Sequence, residues 1–480
     1  ITYGAVIVPI LQDFNPADVE NIVTHSESRI LFAGGAHWPS LDTDRMPLLE
    51  AAIVVEKCEV VYEKEGSHIV ADIVAGLDAA FAEKYPEGFK VEDIKFNALP
   101  NDEMILLNYT SGTTGSSKGV MLSVNNLTGN MVFGKQFINP ETGEPFLFKH
   151  GRTLSFLPLA HAYGCAFDFL AQLVVGGHVT LLGRMPSPTI LVEAMKSVKP
   201  TMICCVPLVL EKVYRKMIMP MLEKGPMSIA MKIPFVNTAL YAIIKAKLME
   251  SFGGEAKIFI VGGAPMNQET EAFLRKINFP LTIGYGMTEC APLISVSAPC
   301  EFKAGSCGRA IGGMDLRIDS ENPQKKVGEI QARGNSIMSG YFKNEEATAA
   351  AFTEDGWMRT GDLGVMDASG NIFIRGRSKN MILSANGQNI YPEEIEAVVN
   401  NQPYVIESVI VDRGASLVAL VYVDSDKLAA DSVNVEEQMN VLKADVNRSM
   451  PSYSKISKVE VMDAPFEKTP KMSIKRFMYK

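Results

Sequence analysis

Short β-branched runs alternate with longer helix-like stretches through the first three quarters of the sequence, and this alternation restricts the fold more than any other feature. GAVIVPI is followed by the helix-like ADVENIVTHS and then by RILFAG, and the pattern recurs around TMICCVP and KIFIVGG. Such alternation favours a parallel sheet wrapped by helices. Gly and Pro punctuate the strand ends, where loops tend to carry ligands. From Val327 onward the texture changes to short strands and turns, GEIQARG, GWMRTGDLG and DASGNIFIRGR, which predict a hairpin-rich module closing a large domain. After the Asn-rich stretch GRSKNMILSANGQNIYPEEIEAVV come a helix (PEEIEAVVNNQ), two strands (VIESVIVDR and SLVALVYV), a helix (EEQMNVLKADVNRSM) and a strand (KISKVEVM), a plausible α+β domain of about a hundred residues. The expected class is α/β: a large N-terminal domain, 1–376, of parallel or mixed sheets with helices and a β-rich subdomain, then a small α+β C-terminal domain, 377–480. The first residue is Ile and opens directly into an apolar run that reads as an interior strand, so the chain is expected to start inside a domain, with its amino end truncated.

Charge narrows the function classes. The 46 Lys+Arg against 55 Asp+Glu leave a net charge of −9, which offers no extended footprint for nucleic-acid phosphates. Seven cysteines, including the adjacent Cys204 and Cys205, lack paired CxxC spacing, which fits reduced thiols in a cytosol and indicates no structural zinc. The apolar stretches at 4–11 and 169–175 fall short of the roughly 18 residues of a spanning helix. The segment 227–244 comes nearest, but Lys232, Asn237 and Thr238 interrupt it, and it predicts a buried helix with an interfacial one as the alternative. A cytoplasmic protein is expected; peripheral membrane contact and a homodimer stay open.

The most specific chemistry lies in YTSGTTGSSKGVMLS at 109–123. Between an apolar approach and a helix-like continuation stand Thr110, Ser111, Gly112, Thr113, Thr114 and Gly115, then Ser116, Ser117 and Lys118. Together they offer backbone N–H groups, hydroxyl donors and one cation, a set suited to nucleotide phosphates. It is not a Walker loop, because Lys118 follows Ser117 and precedes Gly119. A polar surface loop is the alternative.

With this loop the sequence resembles the AMP-forming acyl- and aryl-CoA synthetases, which share an adenylating fold with firefly luciferase and peptide-synthetase adenylation domains; among them it is most similar to the long-chain fatty-acid–CoA ligases. PLAHAYG (158–164), VGGAP (261–265), GYGMTE (284–289), RTGDL (359–363) and GRSKNMI (376–382) follow in the family's order. The resemblance implies a role for each. In GYGMTE it assigns Tyr285 to adenine stacking and places Gly286, Met287 and Thr288 beside the nucleotide, with Glu289 and Thr110 as magnesium ligands. In VGGAP it sets Gly263, Ala264 and Pro265 against adenine. Asp362 is expected on the ribose hydroxyls and Arg377 on ribose or phosphate. His161 and Tyr163 wall the acyl-carboxylate site, and Val206 and Pro207, in TMICCVPLVLEKVYRK, line an acyl pocket that tips the substrate towards a long aliphatic chain. Lys379 falls at the hinge about which a mobile small domain turns, and Gly387 matches the loop brought against the pantetheine arm. Taken singly, most of these motifs are ordinary strand-ending turns, and His161 and Lys379 a packed histidine and a surface lysine.

One position departs from the family. Its carboxyl-terminal pattern, close to PKTxxGKIxR, carries a lysine that contacts substrate carboxylate and phosphate, whereas this chain reads FEKTPKMSIKRF and has Ser473 there. Lys471 and Lys475 lie two residues to either side, about 6.6 Å away along an extended segment, and each is a candidate substitute; slower adenylation is the competing expectation. The catalytic set is thus Thr110, Glu289 and Lys475. The expected reaction is ATP-dependent conversion of a fatty acid to acyl-AMP, then transfer to coenzyme A giving acyl-CoA, AMP and pyrophosphate, with Mg²⁺ as cofactor and no covalent enzyme intermediate. The alternatives are a ligase for an aryl or medium-chain acid, an enzyme that stops at acyl-AMP, and a non-catalytic module binding nucleotide or acyl chains.

Overall fold

Two compact units divide the chain, Ile1–Asn125 with Met338–Glu345, and Asn126–Ile337 with Glu346–Lys480. The computed structural model describes residues 4–66, 69–95, 99–110, 118–184, 186–223, 233, 235–383, 388–414, 416–469 and 473–479.

In the first unit the helix Pro16–His25 starts where the Asn15 side chain accepts the Asp18 N–H at 2.9 Å and Pro16 fixes the first turn, a typical N-cap. It buries Ile22 and Val23. The strand Ile30–Ala33 runs parallel to the fully buried Ala51–Val54, which pairs antiparallel with Glu59–Glu63. A second sheet has the order Gly340–Tyr341, Lys118–Ser123, Met104–Thr110. The opening run GAVIVPI, expected as an interior strand, makes instead a single parallel bridge, Ile7 to Leu106, through Ile7 N–H to Ile105 O (3.0 Å) and Leu107 N–H to Ile7 O (2.9 Å). Val6 and Ile7 stay over 40% exposed (42% and 41%), so neither face of this run is packed as an interior strand requires.

In the second unit the parallel strands predicted at TMICCVP and KIFIVGG are Met202–Cys205 and Ile258–Val261, with Leu281–Ile283 on the far side of the latter. Every residue of the three is buried, which explains the unbroken apolar composition of the first two; in the third, Thr282 donates its hydroxyl to Ser297 O at 2.6 Å. Phe252, Phe259 and Phe279 fill the space behind them, the last two with ring centroids 4.4 Å apart. Of the segment 227–244, expected as a helix, residues 227–232 and 234 lie outside the described residues; the described part is helical from Val236, in Val236–Ser251, after Phe235 with φ +67°, which an α-helix cannot incorporate. Only a stripe through Ile244 and Leu248 is buried, while Ile243 is 60% exposed, so this is a half-buried helix rather than a buried one. The hairpin-rich module is a four-stranded antiparallel sheet in the order Met314–Asp319, Gly328–Gly334, Met358–Met366, Ile372–Arg377. Among the described residues no helix is long and apolar enough to cross a membrane.

The carboxyl-terminal part of this unit is the sheet Val405–Asp412, Leu417–Val423, Ile456–Val461, the last pair parallel. The helices Pro392–Val399 and Val435–Ser449 lay Ile395 and Val399, and Met439, Leu442 and Val446, into its core at helical spacing. Arg215 donates to Val405 O and Asn400 O, both at 3.2 Å. Glu396 is buried on the first helix, accepts the Ile410 N–H at 2.6 Å and pairs with Arg476. Burial pushes its carboxyl up to about 7 although the Arg476 guanidinium opposes this. The folded-state value therefore lies above the ordinary 4.5, so its contribution to stability is complete below 4.5 and lost as pH rises through 7. Relative to Glu396→Gln, the parent is expected to lose about 3 kcal/mol of unfolding free energy between these pH values, as measured by urea titration; parallel pH profiles for the two proteins contradict it.

Candidate functional site

Each unit carries part of the predicted residue set. In the first, Thr110 and Lys118 are cross-strand partners at the neck of the hydroxyl-rich loop, with the Thr110 Oγ1 donating to Lys118 O at 3.5 Å. Ser111, Gly112, Thr113, Thr114 and Gly115 lie outside the described residues. Gly119 follows Lys118 because a Cβ there would stand 3.0 Å from Leu107 and 3.1 Å from the Tyr109 ring. Tyr109 is buried and its hydroxyl meets His25 Nδ1 at 2.7 Å. Burial pushes the phenol well above its ordinary range and holds the His25 imidazole below its own, with the Lys343 ammonium acting on His25 in the same direction.

In the second unit the strand Ile258–Val261 ends in a turn that exposes Gly263, Ala264 and Pro265. Gly263 has φ +86°, a conformation glycine takes at little cost. Just beyond, the Asn267 side chain accepts the Thr270 N–H at 3.0 Å and starts the helix Gln268–Lys276. Tyr163 donates its hydroxyl to Ile260 O at 2.8 Å, and a Cβ on Gly262 would lie 3.6 Å from its ring. Val206 approaches Gly263 at 3.8 Å by the same measure, and Pro207 opens the helix Pro207–Val213. Tyr163, Val206 and the VGGAP turn are thus neighbours. His161 accepts the Tyr163 N–H on Nδ1 at 3.2 Å, which makes it a structural partner within its own segment, 158–164.

GYGMTE forms the strand Tyr285–Gly286, then Met287, then a tight turn Thr288–Cys290. Gly286 is obligatory, because a Cβ there would sit 2.1 Å from Pro292 O. Thr288 and Glu289 are both buried. Tyr285 donates its hydroxyl to Asp362 Oδ2 at 2.7 Å, and Arg377 Nε meets Asp362 Oδ1 at 2.8 Å. Two residues, from two sequence motifs, therefore converge on the buried carboxylate of a third motif. Burial raises the Asp362 carboxyl above its usual range, against the pull of Arg377 and the Tyr285 hydroxyl. The strands hold this geometry by register, since Asp362 and Arg377 are direct cross-strand partners.

Lys379 is exposed in the turn Ser378–Asn380 that leaves that strand, and Asn380 donates to Glu393 Oε1 at 2.6 Å. Gly387 and Lys471 lie outside the described residues. Near the carboxyl end Lys468 and Ile474 form an antiparallel bridge, with Thr469 N–H on Ser473 O (2.8 Å) and Lys475 N–H on Glu467 O (2.8 Å). Ser473 is exposed and Lys475 half-buried, to either side of Ile474, which packs against Val409, Leu420 and Phe466.

Two buried polar residues escaped the sequence reading. Asn130 donates to Cys290 O at 3.2 Å and accepts the Leu293 N–H at 3.1 Å, clamping the segment after Glu289; an Asn in an ordinary amphipathic stretch carries no signal of that. Asp168 is wholly buried on the π-helical stretch Gly164–Leu170, and burial raises its carboxyl well above the usual range. Its signal was present in CAFDFL, one acid among apolar residues. Among the described residues there is no group of three His, Cys, Asp or Glu that could hold a metal.

Comparison with known proteins adds two family matches: the AMP-binding enzyme family over residues 1–342, and the AMP-binding enzyme C-terminal domain over residues 379–479. The chain is 27% identical over 523 aligned residues to the long-chain-fatty-acid–CoA ligase FadD15 of Mycobacterium tuberculosis, spanning 99% of this chain and 82% of that protein. It is 30% identical over 336 residues to the long-chain-fatty-acid–CoA ligase ACSBG1 of Bos taurus, spanning 66% and 46%. In fold it is similar to ATP-bound MatB from Rhodopseudomonas palustris (TM-score 0.74, 21% identity, 100% of this chain and 84% of that one). It is also similar to o-succinylbenzoate CoA synthetase from Bacillus subtilis in complex with ATP and magnesium (TM-score 0.72, 22% identity, 98% and 83%).

Replacing Asn130 by Ala strands a buried N–H and a buried carbonyl beside Glu289. It is expected to cost about 1–3 kcal/mol of unfolding free energy, measured by urea titration; a change within error would show that the clamp is redundant.

Proposed function

This chain belongs to the AMP-binding enzyme family, and we propose that within it the chain is a fatty-acid–CoA ligase acting on long aliphatic acids. The observation that carries this reading is the convergence of Tyr285 and Arg377 on Asp362, a carboxylate with acceptor capacity left over for the two hydroxyls of a ribose. The named ligases FadD15 and ACSBG1 support the acyl class.

In the first half-reaction the acyl carboxylate attacks the α-phosphorus of ATP. Lys118, Thr110 and the loop between them hold the phosphates, and their donors meet the charge that grows on the phosphate oxygens. Thr110 and Glu289 supply hydroxyl and carboxylate oxygens, the hard donors that Mg²⁺ takes. That ion keeps several waters and needs only one or two protein ligands besides the phosphates, so the absence of a larger acidic cluster among the described residues is compatible with it. Bound there, it neutralises triphosphate charge. Gly263, Ala264 and Pro265 lie against the adenine, with Gly286, Met287 and Thr288 beside it. Asp362 holds the ribose and Arg377 the ribose or phosphate. Tyr163, Val206 and Pro207 wall the acyl site, His161 bracing Tyr163 within its own segment.

In the second half-reaction a C-terminal domain, 377–480, turns about Lys379 and brings the segment around Gly387 to the pantetheine arm. The thiol of coenzyme A then displaces AMP to give the thioester.

The test is ATP- and Mg²⁺-dependent pyrophosphate release with palmitate, octanoate and benzoate, each with and without coenzyme A. Release is expected with palmitate, accompanied by palmitoyl-CoA when coenzyme A is present. Preference for benzoate overturns the long-chain reading, and ATP binding without release from any acid overturns the ligase.

At the carboxyl end, Lys475 is proposed in place of the family lysine at Ser473. Lys475→Ala is expected to slow pyrophosphate release by about a hundredfold while sparing thioester formation from added acyl-AMP. An unchanged rate removes Lys475 from the mechanism.

A further inference from the structure

The neck of the phosphate loop is braced by a segment far away in sequence. The strand Gly340–Tyr341 pairs antiparallel with Lys118–Ser123, Gly340 opposite Met121 and Tyr341 opposite Val120. Ser339 N–H donates to Met121 O at 3.0 Å and Phe342 N–H to Gly119 O at 2.8 Å, which fixes the register. Lys343 pairs with Glu27 at 2.6 Å and anchors the far end of the segment. In this register the Lys118 ammonium stands 4.8 Å from the centroid of the Tyr341 ring, within the range of a cation–π contact.

We propose that Tyr341 is a positioning residue for ATP, acting through Lys118: its ring face holds the ammonium at the neck of the loop before the nucleotide arrives. The inference rests on the reading that Lys118 meets the phosphates of ATP. A lysine carries a long, freely rotating stem, and much of its attraction for an anion is lost in ordering that stem. A ring that already restrains the ammonium lowers that cost, so the benefit falls on nucleotide affinity rather than on the chemical step. The ring face supplies the attraction, so phenylalanine can replace tyrosine while an aliphatic side chain cannot.

The experiment measures the Kd for MgATP by calorimetry, on the full chain, for the parent, Tyr341→Leu, Tyr341→Phe, Lys118→Ala and the Tyr341→Leu/Lys118→Ala double variant. Tyr341→Leu is expected to weaken binding by about threefold to tenfold, the scale of one such contact, and Tyr341→Phe to stay within about twofold of the parent. In the Lys118→Ala background Tyr341→Leu is expected to weaken binding no further, since the two act as one unit. In steady state the KM for ATP rises with Tyr341→Leu, while the KM for palmitate and kcat hold. Equal loss from Tyr341→Leu with and without Lys118, or loss in Tyr341→Phe as large as in Tyr341→Leu, assigns the tyrosine to packing and overturns the proposal. A Tyr341→Leu protein that binds like a binding-competent parent overturns it alone. A parent that binds no MgATP overturns the ligase reading as well.

Discussion

A carboxylate taken out of water must be held by partners or give up its charge, and Asp362 is where this constraint shapes the candidate site. It is 4% exposed, yet Arg377 and Tyr285 both reach it. Each of those contacts ties down a different piece of backbone. Arg377 is the last residue of its strand and precedes the turn with Lys379, so the ion pair sets where the chain leaves the antiparallel sheet. Tyr285 opens the segment that contains Glu289, so its hydrogen bond fixes where that segment starts. Asn130 fixes where it ends, gripping Cys290 and Leu293. One buried charge and one buried amide thus determine the course of the backbone through GYGMTE, with side-chain packing following from it.

Close backbone approach is the second constraint. A methyl group on Gly286 would meet Pro292 O at 2.1 Å, and one on Gly119 would meet the Tyr109 ring at 3.1 Å. At these positions glycine is dictated by what lies opposite, whereas Gly263 is dictated by its φ of +86° at the exposed end of a buried strand. The difference has a consequence for chemistry. The first two bring rigid structure close behind a motif; the third leaves an open face in front of one, bordered by Val206 and by the Tyr163 ring.

Much of this was legible in the sequence, because buried strands must be apolar and strand ends must turn. Met202–Cys205, Ile258–Val261, three of the four antiparallel strands and the carboxyl-terminal helices and sheet fall where the sequence pattern predicted them, whereas the fourth strand, Met314–Asp319, lies ahead of the module expected from Val327. The opening run GAVIVPI did not, because β-branched composition reports a willingness to pair and cannot supply a second neighbour. Of the helix expected within 227–244 the described part begins only after Phe235, whose φ of +67° an α-helix cannot incorporate, because apolar content marks a helix without marking its bounds. For the site, motif order identified Tyr285, Asp362 and Arg377 separately. That they form one cluster depends on the register of Asp362 opposite Arg377, a long-range property absent from any local window. Tyr341 was invisible for the same reason, since it is more than two hundred positions from Lys118 in sequence and its neighbour only across a strand pair.

The carboxyl-terminal departure follows the same logic of register. Lys468 is tied to Glu407 at 2.6 Å, and Arg476 to the buried Glu396, so the two ends of the FEKTPKMSIKRF segment are held by ion pairs to the small sheet and its helix. Between them Ile474 is drawn into the apolar cluster around Val409 and Phe466, and strand alternation then turns Ser473 and Lys475 away from it together. A lysine two positions along an extended chain keeps the facing direction of the residue it would replace, and is displaced only along the strand. The anchors therefore convert the loss of a lysine at 473 into a question of reach, about 6.6 Å, rather than of orientation. A lysine stem has the length to cover much of that distance.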